Sequence, residues 1–392
     1  MDLSSTQAYE RLDTKILGAQ SVSAWVSRER EDPIWDSFLQ TTPLGQFQQS
    51  STWARVKSLQ SWVPLRLVLT LNERVVGGFQ LLSKSRWWGG FGYVSKGPIV
   101  CPGYPEVEEY ANELLQYLCR REGLRALVVQ PPDFCQRMPP AFTNREFMPD
   151  VLADVIEATW LIDLRPGFDA IVSGMRKETR QKVRQASNRG VRIREGKRED
   201  VQIFFDLMLS TCRRQGVAPN PPEVSHILDL WDAARPAGCI QLFLAEYEGR
   251  PLSGLLCIMF GKTVSLWKRG WTYDESHRHP NDLGIYEVLK WASKSGYHLF
   301  DFCALDVEIA LALLSNEPLS HEQERSRHLF HIRFGGTAKL LPPARIYFPN
   351  PVLRAGYRIL FQNKLRRTER YSKSLNQFPH PNEPAPGDQI CV

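Results

Sequence analysis

Leu65–Leu82 reads LRLVLTLNERVVGGFQLL, and Gln241–Ile258, offset by 176 residues, reads QLFLAEYEGRPLSGLLCI. Each stretch is two apolar runs about a short polar break, Asn72–Glu73 in the first and Glu248–Gly249 in the second. That is the pattern of two strands joined by a tight turn. Gly78 and Gly254 hold the same place after their turns. Each hairpin is followed by a further aromatic strand, Gly90–Val100 and then Thr263–Thr272. A helix comes next in both, Glu106–Arg121 and Asp282–Ser295, with apolar residues three and four apart and a stop at Gly123 and Gly296. A strand closes each copy, Leu124–Gln130 and Tyr297–Cys303. The helix-to-glycine step repeats at 173 residues, so the two registers differ by three. Four elements repeated in one order mark an internal duplication.

A meander, a helix and a strand in this order form the central part of N-acetyltransferase-type folds. The expected class is therefore α/β (α+β), with two tandem lobes of that type, mixed and mostly antiparallel sheets, and a cleft between or beside them. The expected domains are 1–150, with an N-terminal extension, and 151–348, with an insertion at 305–327. A C-terminal basic helix and tail follow at 349–392. Pro131–Pro132 and Pro139–Pro140 punctuate the first exit and Pro349–Pro351 the second. The polar, Pro-rich stretch after Ser374 reads as disordered.

Hydrophobic residues make up 43% of the 392 and charged residues 23%, an ordinary globular balance. No run of about twenty apolar residues occurs, and the first residues lack a basic segment followed by an apolar one, so the expectation is a cytoplasmic protein. Eight cysteines lie singly, without a CxxC pair, and read as reduced thiols. The net charge is +6, but its distribution matters more. Arg176–Arg198 holds ten Lys or Arg against two Glu, and Arg345–Lys373 is basic with only Glu369 opposing. Such clusters suit a phosphate-bearing partner: nucleic acid, nucleotide-sugar or anionic membrane surface. In the first cluster Arg176, Arg180 and Arg184 recur every four residues, flanked by Lys177 and Lys182, while Met175, Val183 and Ala186 face inward. Like charges at that spacing repel unless an external anion neutralises them. The pair His277/His279 and the pair His328/His331 have no third ligand at suitable spacing, so no metal is expected.

Six stretches in order resemble the Fem family (FemA, FemB and FemX). They are FQQSSTWARVK (Phe47–Lys57), MRKETRQKVRQASNRGV (Met175–Val191), TCRRQG (Thr211–Gly216), the hairpin Ala245–Gly254, KWASKSGYHLFDF (Lys290–Phe302) and FHIRFGG (Phe330–Gly336). The likeness runs from about Phe47 to Leu360. It implies an aminoacyltransferase that takes an aminoacyl group from aminoacyl-tRNA and forms a peptide bond on an amine of a peptidoglycan precursor, a lipid-linked or UDP-linked muramyl peptide. Related branches use the same donor in natural-product assembly.

The ester donor is already activated, so no cofactor is needed. The enzyme must place the amine, stabilise the developing oxyanion and neutralise phosphates. Arg333 stands at the basic end of the terminal motif; the family's Lys aligns with His331, and Arg333 replaces its Gly. By resemblance Lys57 contacts the diphosphate or uridine of the acceptor, and Trp267 matches an aromatic that packs on it. Without resemblance, Lys57 reads as solvent-facing and Trp267 as core. Thr211 and Arg214 precede Gly216 at a helix end, where a guanidinium fork suits phosphate or carboxylate. Phe330 opens the terminal motif on the substrate side. Asp301, between Phe300 and Phe302, is either a general base or a brace. Transfer RNA is assigned to Arg176, Lys177, Arg180, Lys182 and Arg184. The expected assembly is a monomer that touches the inner membrane surface peripherally.

An acyl-CoA-dependent N-acyltransferase would cradle pyrophosphate in a glycine-rich loop at a helix N-terminus. The stretch RHPNDLGIY, Arg278–Tyr286, has only Gly284. A non-catalytic RNA-binding scaffold explains the basic helix but not the duplication. The insertion Leu305–Arg327 is longer than the family usually shows and falls between Asp301 and the terminal motif, which leaves the acceptor open.

Overall fold

The computed structural model describes residues 8–375 apart from 19, 87–88, 134, 136–141, 143–145, 154 and 327. Pro139–Pro140 and the tail beyond Leu375 lie outside the described residues. Contacts divide the chain into two compact units, Met1–Val155 with Leu341–Val392, and Ile156–Leu340.

The first unit opens with the antiparallel pair β1 (Tyr9–Leu17) and β2 (Gln20–Ser27), then α1 (Pro33–Thr41) and α2 (Ser51–Leu59). Asp32 caps α1 and Ser50 caps α2, each accepting a backbone N–H from inside the first turn. The meander β3 (Val63–Leu71), β4 (Arg74–Arg86) and β5 (Gly89–Ser95) follows, then β6 (Ile99–Val100), α3 (Pro105–Arg121), β7 (Leu124–Gln130) and β8 (Phe147–Pro149).

The second unit begins with β9 (Ala158–Asp163), α4 (Phe168–Gly174), α5 (Lys177–Asn188), β10 (Arg192–Glu195), α6 (Asp200–Gln215) and α7 (Val224–Ala234). Its meander is β11 (Ile240–Tyr247), β12 (Arg250–Phe260) and β13 (Thr263–Trp271), followed by α8 (Pro280–Lys294) and β14 (Leu299–Asp301). Three short helices, α9 (Val307–Leu314), α10 (His321–Glu324) and α11 (Leu329–Ile332), lead to β15 (Thr337–Leu340). The chain then returns to the first unit with β16 (Arg345–Tyr347) and α12 (Pro351–Leu375), so residues 341–348, read from sequence as part of the second domain, lie in the first unit.

The first sheet runs β1-β2-β3-β4-β5-β7-β16-β8, with β6 beside β4, and the second runs β10-β11-β12-β13-β14-β9-β15. Only β5–β7 and β13–β14 are parallel among the described pairs. These are mixed, mostly antiparallel sheets with helices interspersed, the tandem N-acetyltransferase-type arrangement.

The repeat extends to backbone detail. Asn72 and Glu73 both have positive φ, as do Glu248 and Gly249, the conformation a two-residue hairpin turn demands. Both hairpins carry a bulge 176 residues apart, between Leu69 and Thr70 and between Ala245 and Glu246. Gly78 pairs with Val68 and Gly254 with Leu244, the same rung in each copy. A Cβ at Gly78 would collide with the Leu67 carbonyl, and one at Gly254 with the Phe204 ring. The anticipated strand Gly90–Val100 is two pieces, because Lys96 turns to positive φ before β6. The strand expected at Tyr297–Cys303 is three residues long. The insertion is helical: Asp306 caps α9, which packs on β15 and β9, and Ser320 with Gln323 forms a capping box on α10. Cys101 is disulfide-bonded, which corrects the expectation that all eight thiols are reduced; Cys119, Cys135, Cys212, Cys239, Cys257 and Cys303 form no disulfide.

Candidate functional site

In the second unit β13 and β14 pair over three rungs, Thr263–Ser265 with Leu299–Asp301. β13 then runs on to Trp271 while the chain leaves β14 at Phe302, so the two strands part. Trp267 is the extra residue of a bulge where β13 passes β12, since Leu256 pairs with Lys268 and Cys257 with Leu266. Strand alternation puts Lys268 and Gly270 on one face, where Met208 of α6 closes on Gly270, and Arg269 on the other.

On the Arg269 face stands the terminal motif. Arg333 donates from Nη2 to Asp282 Oδ1 at 2.6 Å, and its guanidinium lies 4.0 Å from the Phe330 ring centroid. Arg269 lies 5.2 Å from the same ring. Asp282 sits in the first turn of α8 and is 5% exposed. Burial alone pushes Arg333 down and Asp282 up, toward neutrality, and the mutual attraction opposes both shifts. An arginine starts so high that the pair stays ionic. The Arg333 backbone carbonyl accepts from the Arg176 N–H at 3.0 Å and the Thr179 hydroxyl at 3.2 Å, tying the motif to the start of α5.

His331 is 6% exposed and stacks on Phe302, with ring centroids 4.5 Å apart. Burial, and then the neighbouring Arg269, His328 and Arg333 side chains, drive its pKa well below the ordinary value; the Ala304 backbone offsets this in part. The imidazole is therefore neutral at physiological pH. Neither His331 nitrogen nor Arg333 Nε makes a hydrogen bond of ordinary geometry, although all three atoms are buried. Native interiors rarely leave such groups unpaired, so Arg333 Nε and the His331 nitrogen turned from the Ala304 backbone, without partners among the described residues, indicate a place for a polar ligand.

Asp301 does not join this group. It accepts hydrogen bonds from the Thr159 hydroxyl and from the Cys303 N–H, the latter at 2.7 Å. Its neighbours Phe300 and Phe302 pack on each other, 5.0 Å between centroids, so the carboxylate points to the opposite face from His331. The geometry is that of a brace where β14 ends.

Thr211 and Arg214 form a second group, at the C-terminal end of α6. The Thr211 hydroxyl accepts from Trp271 N at 2.8 Å and fixes the end of β13 to the helix. The Arg214 guanidinium lies 5.0 Å from the centroids of both Trp271 and Tyr273, an exposed cation on an aromatic platform. Trp267 is half-buried with Lys268 5.4 Å from its ring. Lys268 escaped the sequence reading: burial lowers its pKa, and the thiols of Cys303 and Cys212 face it. The alternation in SLWKRGW could have marked it, since an even spacing from the glycine that packs on α6 turns that lysine inward. Asp282 was also missed, because its partner lies 51 residues away.

The basic helix α5 buries Val183 and Ala186, and Met175, which caps the end of α4 just before it, is buried too, as anticipated. Its cations are less uniform than their spacing implied. Arg180 turns back and donates to the carbonyls of Val172, Ser173 and Met175 at the end of α4. Lys182 pairs with Glu178 at 2.8 Å. Arg176, Lys177 and Arg184 are exposed and have no described side-chain partner.

In the first unit, Lys57 is half-buried, which corrects the solvent-facing alternative. Its ammonium lies 4.7 Å from the Trp53 ring centroid and donates to Gln60 Oε1 at 3.1 Å. Burial and the nearby Lys84 lower its pKa. Lys84 donates to Gln60 O at 2.7 Å and lies 5.9 Å from the Trp62 ring, giving two ammonium groups among aromatics. Earlier in the same stretch, Gln49 is a structural clamp. Its side chain accepts from Gln80 N at 2.7 Å and donates to Ser95 O at 2.6 Å.

No group of His, Cys, Asp and Glu among the described residues has metal-binding geometry. No described helix is long and apolar enough to cross a membrane.

The acetyltransferase (GNAT) domain family matches residues 173–308. The lipid II:glycine glycyltransferase of Staphylococcus saprophyticus subsp. saprophyticus is 25% identical over 233 residues, 56% of each chain. That of Staphylococcus epidermidis is 27% identical over 229 residues, 55% of each. The chain thus spans about half the length of the curated relatives it matches. The crystal structure of FemX superposes with a TM-score of 0.69 at 19% identity, covering 83% of this chain and 97% of that one. The Fem-type resemblance is borne out in sequence, and the duplicated fold in structure.

Proposed function

We propose that the chain is a Fem-type aminoacyltransferase that forms an amide on an amine of a peptidoglycan precursor. The relatives, which are lipid II:glycine glycyltransferases, support the acceptor and the reaction class. The observation that carries the reading is the pair of buried side chains Arg333 and His331, whose Nε and one imidazole nitrogen have no partner among the described residues, with the guanidinium fixed by Asp282.

The amine attacks the carbonyl carbon of the aminoacyl ester and the carbonyl oxygen becomes an oxyanion. Arg333 Nε is a fixed donor for that oxygen, and its charge needs no reorganisation as the oxyanion forms. Neutral His331 accepts the proton released by the attacking nitrogen. The carbon–oxygen bond to the donor then breaks as His331 returns that proton to the departing oxygen, so the donor leaves as its hydroxyl and the amide remains. Aminoacyl-tRNA is the donor in this reading, held by Arg176, Lys177 and Arg184, which face solvent without a side-chain hydrogen-bond partner among the described residues. Lys57 with Lys84, and Arg214 on its aromatic platform, are positions for acceptor phosphates and carboxylates.

An acyl-CoA donor is disfavoured by one feature. The first turn of α8, the place for a pyrophosphate, already holds a carboxylate, Asp282. The deciding assay gives purified protein labelled aminoacyl-tRNA, lipid II and a panel of other amines, with acetyl-CoA as competing donor. Label should pass from tRNA to lipid II. Transfer from acetyl-CoA alone, or to another amine only, would overturn the respective half of the reading.

A further inference from the structure

α12 is held by one face. The Tyr357 hydroxyl accepts from Val151 N at 2.9 Å and donates to Pro149 O at 3.2 Å, and Tyr357, Phe361 and Leu365 pack with Phe348, Ile346 and Met148. At 100° per residue the opposite face carries Val352, Ala355, Gly356 and Ile359, with Leu353 and Leu360 at its edge. That face is open: Val352 is 75% exposed, Ile359 73% and Leu360 78%. A folded chain gains nothing by presenting three large aliphatic side chains to water in one stripe, so the stripe marks a contact surface. The charge of the segment identifies the partner. Arg354, Arg358, Lys364, Arg366, Arg367, Arg370 and Lys373 are opposed only by Glu369. Arg358 and Lys364 are exposed beside the stripe.

Aliphatic residues contribute nothing to phosphate binding on an RNA, and a second copy of the same helix would bring like charges together. An anionic bilayer satisfies both properties at once, taking the aliphatic face into its acyl boundary and the cations among its headgroups. We infer that α12 is an in-plane membrane anchor, which seats the first unit on an anionic lipid surface through Val352, Leu353, Ile359 and Leu360. The kink at Phe361 falls where the aliphatic half gives way to the basic half. The inference stands whether or not the chain transfers aminoacyl groups, because vesicle binding is measured without any substrate.

The test is co-flotation of the full chain with vesicles of phosphatidylcholine alone, or with about one-third phosphatidylglycerol. The protein should float with the anionic vesicles only and be released by salt. Ile359→Asp with Leu360→Asp should weaken binding at least about tenfold. Lys364→Ala should weaken it about fivefold. Both changes are at exposed positions, so the melting temperature and circular dichroism should match the wild type. Three results would overturn the inference: wild type that floats with neither vesicle, aspartate variants that float as well as wild type, or sedimentation showing a dimer that the aspartates dissociate.

Discussion

The two units start from one plan and diverge at one place. In the first, β5 and β7 pair over six rungs, and Gln49 clamps β4 to the end of β5 through Gln80 and Ser95. In the second, β13 and β14 pair over three rungs, and a bulge at Trp267 turns β13 as the strands separate. Arg333, His331, Phe330, Trp267, Thr211 and Arg214 all belong to the unit whose strands part. The plan is shared, and the shorter strand pairing falls in the unit that holds the buried Arg333 and His331.

The sharpest way to break that comparison is at Arg333. Arg333→Ala should lower kcat about 100- to 1,000-fold in the transfer assay. Tyr93→Phe in the zipped strand pair, which removes a hydroxyl 3.2 Å from Gln130 Oε1, should change it less than about twofold. Because Arg333→Ala strands Asp282 in the interior, Arg333→Lys and the double variant Arg333→Ala with Asp282→Asn separate chemistry from folding. Equal losses in the two units would end the assignment of chemistry to the open one.

The cations of α5 come next. Arg176→Glu with Arg184→Glu should weaken tRNA retention at least about tenfold and reduce the salt slope by about two. Arg180→Glu should instead lower the melting temperature, because that guanidinium closes the end of α4. Lys57→Met should raise KM for lipid II severalfold, up to about tenfold, with kcat little changed, as loss of uniform binding predicts.

The smallest effect is on stability. His331 in the folded chain titrates well below the free value of about 6.5. Above pH ~6.5 both states are neutral and it contributes no pH dependence. Below that the unfolded chain takes up a proton that the folded chain refuses, so stability falls as pH drops toward the folded value, by up to about 1.4 kcal/mol per pH unit. His331→Phe, compared with wild type in urea melts between neutral pH and about pH 5, should flatten that limb.

The hairpins, their turn residues, the helix stops and the inward face of α5 were legible in the sequence. Each rests on local chemistry: positive φ at Asn72–Glu73 and Glu248–Gly249, glycine after a helix, apolar spacing of three and four. β8 and β16 were not, since three residues show no period and find each other across about 200 residues. The site was half legible. FHIRFGG picked out the segment that holds the buried Arg333 and His331, but sequence could not reveal that Arg333 is held by Asp282, that Asp301 faces away, or that Arg180 is occupied by carbonyls. Those facts are properties of side-chain direction and distant partners, which spacing does not encode.

The return of β16 to the first sheet bears on synthesis. β8 pairs only with β16 among the described strands, and β16 begins at Arg345. A ribosome making this chain from its N-terminus must release all of Ile156–Leu340 before the first sheet can take its last strand. The later-made lobe is thus free to finish first, while the edge of β7 stays open as a nascent-chain liability. Truncation near residue 340 would spare the second sheet and leave the first permanently unsealed.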